Sequence, residues 1–309
     1  MMDYEILKTE SHISGLQLAL LHQKPEVFSN DYAVLFLHGA TFPSALAFGF
    51  KMNGSSWMDY MIGQGFEVFA LDFLGYGYSD RYPEMEENSD DGEPVGRAET
   101  VYRDVEKAVN FIVEETGKSK VYLVGHSWGA TVAALYTEKF PEKVANLILF
   151  APLVAGVEKT EAEIIKGAAE KMTPKKRIQA MKDLTPKDKP SPLAQEISEI
   201  WGKQWLESDA VAGKIGSRYV HFPSGPSQDI EDLEHGRTYY HPELIRVPTL
   251  IIRGEWDKFP NNEEGGRLLS SIENDSCKKY VVIGKGTHVM HLENSRLQLY
   301  DEVNLFLKS

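Results

Sequence analysis

The stretch that decides the architecture runs Lys120-Val121-Tyr122-Leu123-Val124-Gly125-His126-Ser127-Trp128-Gly129-Ala130-Thr131. Val121 to Val124 have the β-branched, aromatic and aliphatic character of a buried strand. Trp128 to Lys139 reads as a helix that Pro141 prevents from continuing. Between the two stands Gly125-x-Ser127-x-Gly129. A chain that turns from strand to helix so sharply needs small flanking residues, and the enclosed serine then projects its hydroxyl at the carboxyl end of the strand. The helix beginning there offers backbone N–H groups and the positive end of its dipole to a developing oxyanion. In this context the motif predicts a nucleophilic serine, Ser127. The alternative is a glycine-bounded turn without chemistry.

Outward from this point, similar short runs recur at Ala33 to Leu37, Glu67 to Leu71, Asn146 to Phe150, Thr249 to Arg253 and Lys279 to Ile283. They alternate with amphipathic stretches: Val101, Val105, Val109 and Ile112 keep helical spacing, and Gly117 stands where a helix cap belongs. This repeated strand–helix–strand pattern predicts an α/β fold with a doubly wound, mostly parallel sheet. The pattern breaks over residues 154–246, where an ordinary crossover needs only ~10–12 residues. Leu193, Ile197, Trp201 and Trp205 recur there every four residues, and Thr173-Pro174 offers a helix cap followed by proline at the first helical position. The expectation is a helical lid, 154–246, inserted into a core of residues 1–153 and 247–309. Its tryptophans suit packing inside the lid. Trp201 and Trp205, with Phe42 of the core, are also the candidates for lining a substrate pocket.

A serine hydroxyl is a poor nucleophile unless a base removes its proton, so a histidine and an orienting acid are required. Asp257 follows the strand ending in Arg253, and His288 follows the strand ending in Ile283, which places both outside strand carboxyl ends. Glu255 is the rival acid and His291 the rival base. The second oxyanion donor is sought after the strand Ala33 to Leu37, in His38-Gly39-Ala40-Thr41-Phe42-Pro43, where the glycine lets the backbone bend toward the nucleophile. The backbone N–H groups of Ala40 and Trp128 are the candidates, with His38 read as structural.

Composition narrows the partners. The 309 residues are 42% hydrophobic and 26% charged, enough to fill a sizeable core, and the net charge of -13 lacks the clustered positive footprint of nucleic-acid binding. The first ten residues carry three acids in place of the basic start of a signal peptide. The longest apolar run, Val144 to Val157, is interrupted by Asn146 and Pro152. A cytoplasmic location and no membrane span are therefore expected, while a homo-oligomer stays open. The acidic patch Glu84 to Glu93 reads as a solvated loop. Cys277, a single cysteine, supports no internal disulfide. Gly75-x-Gly77 meets Asp80 where a dinucleotide fingerprint needs a third glycine, and His288-x-x-His291 lacks a third metal ligand. No cofactor and no metal are expected.

His38-Gly39, Asp72-Phe73-Leu74-Gly75-Tyr76-Gly77-Tyr78-Ser79, Gly125-His126-Ser127-Trp128-Gly129, the Asp257 loop and the His288 loop together resemble the lidded α/β-hydrolase superfamily over the whole chain except the lid. The resemblance implies a serine hydrolase with Ser127, Asp257 and His288 as its triad. The Ser-Trp-Gly elbow is similar to that of proline iminopeptidases, which usually carry His-Gly-Gly-Pro-Gly where this chain has His-Gly-Ala-Thr-Phe-Pro. Haloalkane dehalogenases and epoxide hydrolases resemble the same scaffold but place aspartate at the elbow, so Ser127 argues against both. The expected function is hydrolysis of a small-molecule acyl substrate, a small or medium carboxylic ester, through an acyl-enzyme. Aminopeptidase, amidase, lactonase and carbon–carbon hydrolase activity are alternatives on the same scaffold, as is a non-catalytic receptor that keeps the pocket. The aromatic lining favours a neutral acyl group, and the net charge disfavours polyanions.

Overall fold

The computed structural model describes residues 4–86, 92–212, 216–273 and 277–309. Strands β1 (Glu5–Glu10), β2 (Gln17–Gln23), β3 (Ala33–Leu37), β4 (Val68–Asp72), β5 (Val121–His126) and β6 (Val144–Phe150) come first in the chain. Then follow the short β7 (Ala169–Met172) and β8 (Val220–Pro223), and finally β9 (Thr249–Gly254) and β10 (Lys278–Ile283). The main sheet has eight strands in the order β1-β2-β4-β3-β5-β6-β9-β10. From β4 to β10 all pairings are parallel; β1 and β2 pair antiparallel at one edge. The six strands read from the sequence are the six parallel ones. Of the edge pair, β1, Glu5–Glu10, escapes that reading because it is charged and largely exposed, whereas β2 carries the buried apolar run Leu18–Leu21, which the reading passes over.

The helices are α1 (Ser44–Ala47), α2 (Trp57–Gly63), α3 (Ala98–Thr116), α4 (Trp128–Lys139), α5 (Pro174–Lys182), α6 (Gly202–Glu207), α7 (Gly225–Glu234), α8 (Asn262–Ser271) and α9 (Arg296–Leu307). In α3 the spaced residues Val101, Val105, Val109 and Ile112 are fully buried, each contributing ~1.5–3 kcal/mol of burial. Gly117 ends that helix at φ 68°, a left-handed conformation that glycine adopts without steric cost. Helix α4 is buried on every side from Trp128 to Thr137, because it lies between the sheet, α3 and α7. The elbow is thus fixed to the most enclosed helix of the core.

Residues 154–246 form α5, α6 and α7 together with the antiparallel two-stranded ribbon β7–β8. The ribbon corrects the purely helical expectation; its strands have four residues each, too few for alternation to register in a sequence. Thr173 does cap α5, its side chain accepting from Lys176 N at 3.2 Å. Ile197, Trp201 and Trp205 are fully buried along one continuous helical stretch, whose first turn is a π-turn. Leu193 leaves that stripe and bridges Glu293. Of the acidic patch, Glu84, Glu86 and Glu93 are exposed, and residues 87–91 lie outside the described residues. Among the described residues, no helix is long and apolar enough to cross a membrane.

Candidate active site

Ser127 closes β5 and opens α4 at φ 56°, ψ −123°, a conformation rare for a residue with a side chain. Its N–H is held by the Phe150 carbonyl at 2.9 Å. Both flanking glycines are required by close approach. A Cβ on Gly125 would meet the Gly129 carbonyl oxygen at 2.5 Å, and one on Gly129 would meet the His38 carbonyl oxygen at 2.3 Å.

The structure brings together the three residues singled out as a triad. His288 Nε2 lies 2.8 Å from Ser127 Oγ, and its Nδ1 lies 3.1 Å from both carboxylate oxygens of Asp257. An ionised carboxylate can only accept, so Nδ1 carries the proton and Nε2 presents its lone pair to the serine hydroxyl. Asp257 is buried and also accepts from Phe259 N at 3.0 Å. The rival acid Glu255 is exposed and braces the backbone N–H of Lys285. The rival base His291 is fully buried, and neither of its ring nitrogens has a hydrogen-bond partner among the described residues. Burial pushes its pKa down to about 3, helped by the charges of His288 and Arg177.

On the other side of Ser127, Gly39 comes so close that a Cβ there would stand 3.3 Å from both Ser127 Cβ and His126 Nδ1. His38 Nδ1 lies 2.7 Å from the Gly39 carbonyl, and its Nε2 accepts from Phe73 N at 3.2 Å. That carbonyl and the N–H of Ala40 belong to one planar trans peptide and point opposite ways. His38 therefore sets the direction of the Ala40 N–H, and burial keeps the imidazole neutral, its pKa pushed down to about 4. Neither Ala40 N–H nor Trp128 N–H donates to an acceptor among the described residues. The Asp72–Ser79 turn is structural: the buried Asp72 carboxylate accepts from Ser44 N at 2.8 Å and Tyr78 N at 2.9 Å. Burial pushes its pKa up to about 6.

Several residues beyond the sequence reading hold the site. Glu293 accepts from the hydroxyl and N–H of Thr287, immediately before His288, and burial pushes its carboxyl up to about 7. His126 Nε2 lies 2.9 Å from the His288 carbonyl, and burial, His291 and His288 drive its pKa well below the ordinary value. The Trp128 indole donates to Asp229 of α7 at 2.8 Å, and Asp229 also accepts from Arg97 and from Ala98 N. No motif marks these partners: His126 and Asp229 act across more than a hundred residues, and Glu293, six residues from Thr287, is set apart only by its burial. Trp201 and Trp205 lie in a row of aromatic rings running Phe42–Trp201–Trp205–Phe222, with ring centres 5.1, 5.5 and 6.3 Å apart, the first pair edge to face and the others tilted. The Trp201 indole donates to the Leu46 carbonyl. Trp201 thus packs the insertion onto the core, and the ring partners of Trp205 lie within the insertion. Phe42 reaches further, to His291 and Arg177. A groove of about 520 Å³ lined by Tyr4, Phe50, Tyr78 and Ile200 does not include the triad.

Comparison with known proteins places this geometry in a family. Residues 32–295 match the family described as the alpha/beta hydrolase fold. A 2-hydroxy-6-oxononadienedioate/2-hydroxy-6-oxononatrienedioate hydrolase of Klebsiella pneumoniae is 23% identical over 268 residues, 84% of this chain and 83% of that protein. Among solved structures, a probable hydrolytic enzyme of Pseudomonas aeruginosa PAO1 aligns with a TM-score of 0.69 at 14% identity, covering 99% of this chain and 94% of the other. A thermophilic esterase of Thermogutta terrifontis aligns with a TM-score of 0.61 at 17% identity, covering 98% of each. With its strand order, its serine elbow and this match over most of its length, the chain belongs to the alpha/beta hydrolase fold family.

Proposed function

We propose that the chain is a serine hydrolase that cleaves small or medium carboxylic esters, with Ser127 as nucleophile, His288 as general base and Asp257 as the acid that orients it. The observation that carries this reading is the continuous relay Asp257–His288–Ser127, at 3.1 and 2.8 Å, ending on a serine held at positive φ. His288 Nε2 takes the Ser127 proton as Oγ bonds to the acyl carbon. The carbonyl oxygen becomes an oxyanion, which the N–H groups of Ala40 and Trp128 stabilise. Collapse breaks the bond to the alkoxide, which leaves with the proton from His288. Water then repeats the cycle on the acyl-enzyme, releasing the acid and restoring Ser127. Asp257 keeps the tautomer and stabilises the imidazolium. Phe42 walls the acyl pocket, and residues 154–246 act as its lid.

A panel of 4-nitrophenyl esters, lactones and aminoacyl amides tests this. The expected result is ester turnover with an initial burst of 4-nitrophenol, lost in Ser127→Ala. Turnover confined to the amides or lactones would overturn the ester assignment. Undiminished turnover in Ser127→Ala would overturn the nucleophile.

A further inference from the structure

Arg177 is set apart from the other arginines of the interior. Arg97 pairs with Asp229 and Asp232, Arg253 donates to Tyr280 and Asn262, and Arg296 donates to the Glu293 and Met52 carbonyls. Arg177 has no such acceptor among the described residues, and its Nε is buried without a partner. The neighbouring Lys175 and Lys176 of α5 face water, whereas Arg177 lies with its Cζ 5.4 Å from the Phe42 ring centre. Burial pushes its pKa down only to about 10, so at neutral pH it keeps a full positive charge.

From Arg177 a line of contacts leads to the nucleophile. Phe42 stacks on His291 at 6.2 Å, His291 lies 4.4 Å from His126, and His126 precedes Ser127 in the chain. Both ring nitrogens of His291 and the Nδ1 of His126 are buried and have no hydrogen-bond partner among the described residues. The charge of Arg177 helps push both histidines down, so its field extends along this line. Along this line, then, stand one half-buried cation and three nitrogens without a partner among the described residues, and no acidic side chain lies within ion-pair distance of that cation among the described residues. Burying a charge without a counter-charge is costly, and native structures seldom keep such a group without a partner in its working state. The planar guanidinium fork matches a carboxylate with two parallel hydrogen bonds.

We propose that Arg177 is an anion subsite of the Ser127 centre, so that its preferred substrates are acyl compounds bearing one carboxylate remote from the scissile carbonyl. This rests on the serine-hydrolase reading above and changes the neutral preference expected from the aromatic lining. The net charge of -13 does not oppose it at contact: repulsion by distant surface charges is screened beyond about 8–10 Å, while Arg177 acts at close range in low dielectric.

Two measurements test it. The first compares kcat/KM for the 4-nitrophenyl monoesters of succinate, glutarate and adipate with the neutral butanoate, pentanoate and hexanoate esters, in the wild type, Arg177→Gln and Arg177→Lys. At least one carboxylate ester is expected to exceed its neutral partner. Arg177→Gln should lower that anionic-to-neutral ratio on the order of tenfold to a hundredfold, with part restored by Arg177→Lys. The second needs no turnover: calorimetric titration of the Ser127→Ala protein with monomethyl glutarate and with methyl pentanoate. Tighter binding of the glutarate ester, lost on adding Arg177→Gln, is expected. Equal binding of the two, or an unchanged ratio in Arg177→Gln, overturns the subsite. Carboxylate-selective binding in a protein that hydrolyses no acyl compound upholds the subsite and overturns only the hydrolase reading.

Discussion

Gly129→Ala sets two effects of opposite sign against each other at the elbow. Gly129 is the second residue of α4, and alanine is the better helix former by ~1 kcal/mol, so propensity alone expects a more stable protein. The added Cβ would stand 2.3 Å from the His38 carbonyl oxygen and 2.5 Å from that of Leu37, where ordinary contact begins at 3.4 Å. Both atoms are backbone, so the end of β3 and the first turn of α4 must separate by about 1 Å, at an overpacking cost of ~1–3 kcal/mol. Sterics outweigh propensity. The same displacement parts Gly39 and Ala40 from Ser127, and a misplacement of ~1 Å costs on the order of 10²-fold in rate. Gly266→Ala in α8 is the control: nothing lies within 4 Å of its Cβ, so propensity acts alone and stabilises by ~0.5–1 kcal/mol. Thermal unfolding and burst kinetics on a 4-nitrophenyl ester read both variants. A Gly129→Ala protein as stable and as active as the wild type would refute the reasoning.

The remaining expectations concern the base, pH and the support behind Trp128. His288→Ala should lower turnover on the order of a millionfold and Asp257→Asn about 10⁴-fold. His291→Ala should cost orders of magnitude less than His288→Ala in the same assay, and the reverse ranking would reassign the base. His38, His126 and His291 are held below the ordinary histidine value in the fold, so the unfolded chain binds their protons first, and their contribution is lost as pH falls through about 6.5. Asp72 and Glu293 are held above their ordinary values and act in the opposite sense over the same window. Three imidazoles outweigh two carboxyls by about one proton, so stability should fall by about 1.4 kcal/mol per pH unit between roughly pH 6 and 4.5. Urea denaturation at pH 7.5, 6 and 4.5 checks this, and a midpoint that rises on acidification contradicts it. Asp229→Ala leaves Arg97 and the Trp128 indole short of an acceptor and should cost ~3–5 kcal/mol, read as a fall in Tm.

The parts legible in the sequence are those whose signal is local. Val121–Val124 before Gly125, and Trp128 to Lys139 after Ser127, state the strand, the turn and the helix within one short window, and the other parallel strands announce themselves as continuous apolar runs. Asp257 and His288 were found because each follows such a run. What stayed hidden depends on tertiary contact. Glu293 and Asp229 look like any surface carboxylate until burial and their partners are known. Arg177 sits in the basic run Lys175-Lys176-Arg177, and only the turn of α5 separates the half-buried cation from its two solvated neighbours. The tryptophan stripe was visible as a stripe, but periodicity does not say whether a buried face meets substrate or another aromatic ring.

The most direct test of the central claim, that Ser127 is the nucleophile of a working relay, is covalent labelling by a fluorophosphonate at pH 7.5, read by intact mass and peptide mapping. One adduct is expected on the wild-type chain, located on Ser127. It should be absent from Ser127→Ala and slowed by on the order of a thousandfold or more in His288→Ala. A folded wild-type protein that takes no label, or takes it on a residue other than Ser127, would contradict the account.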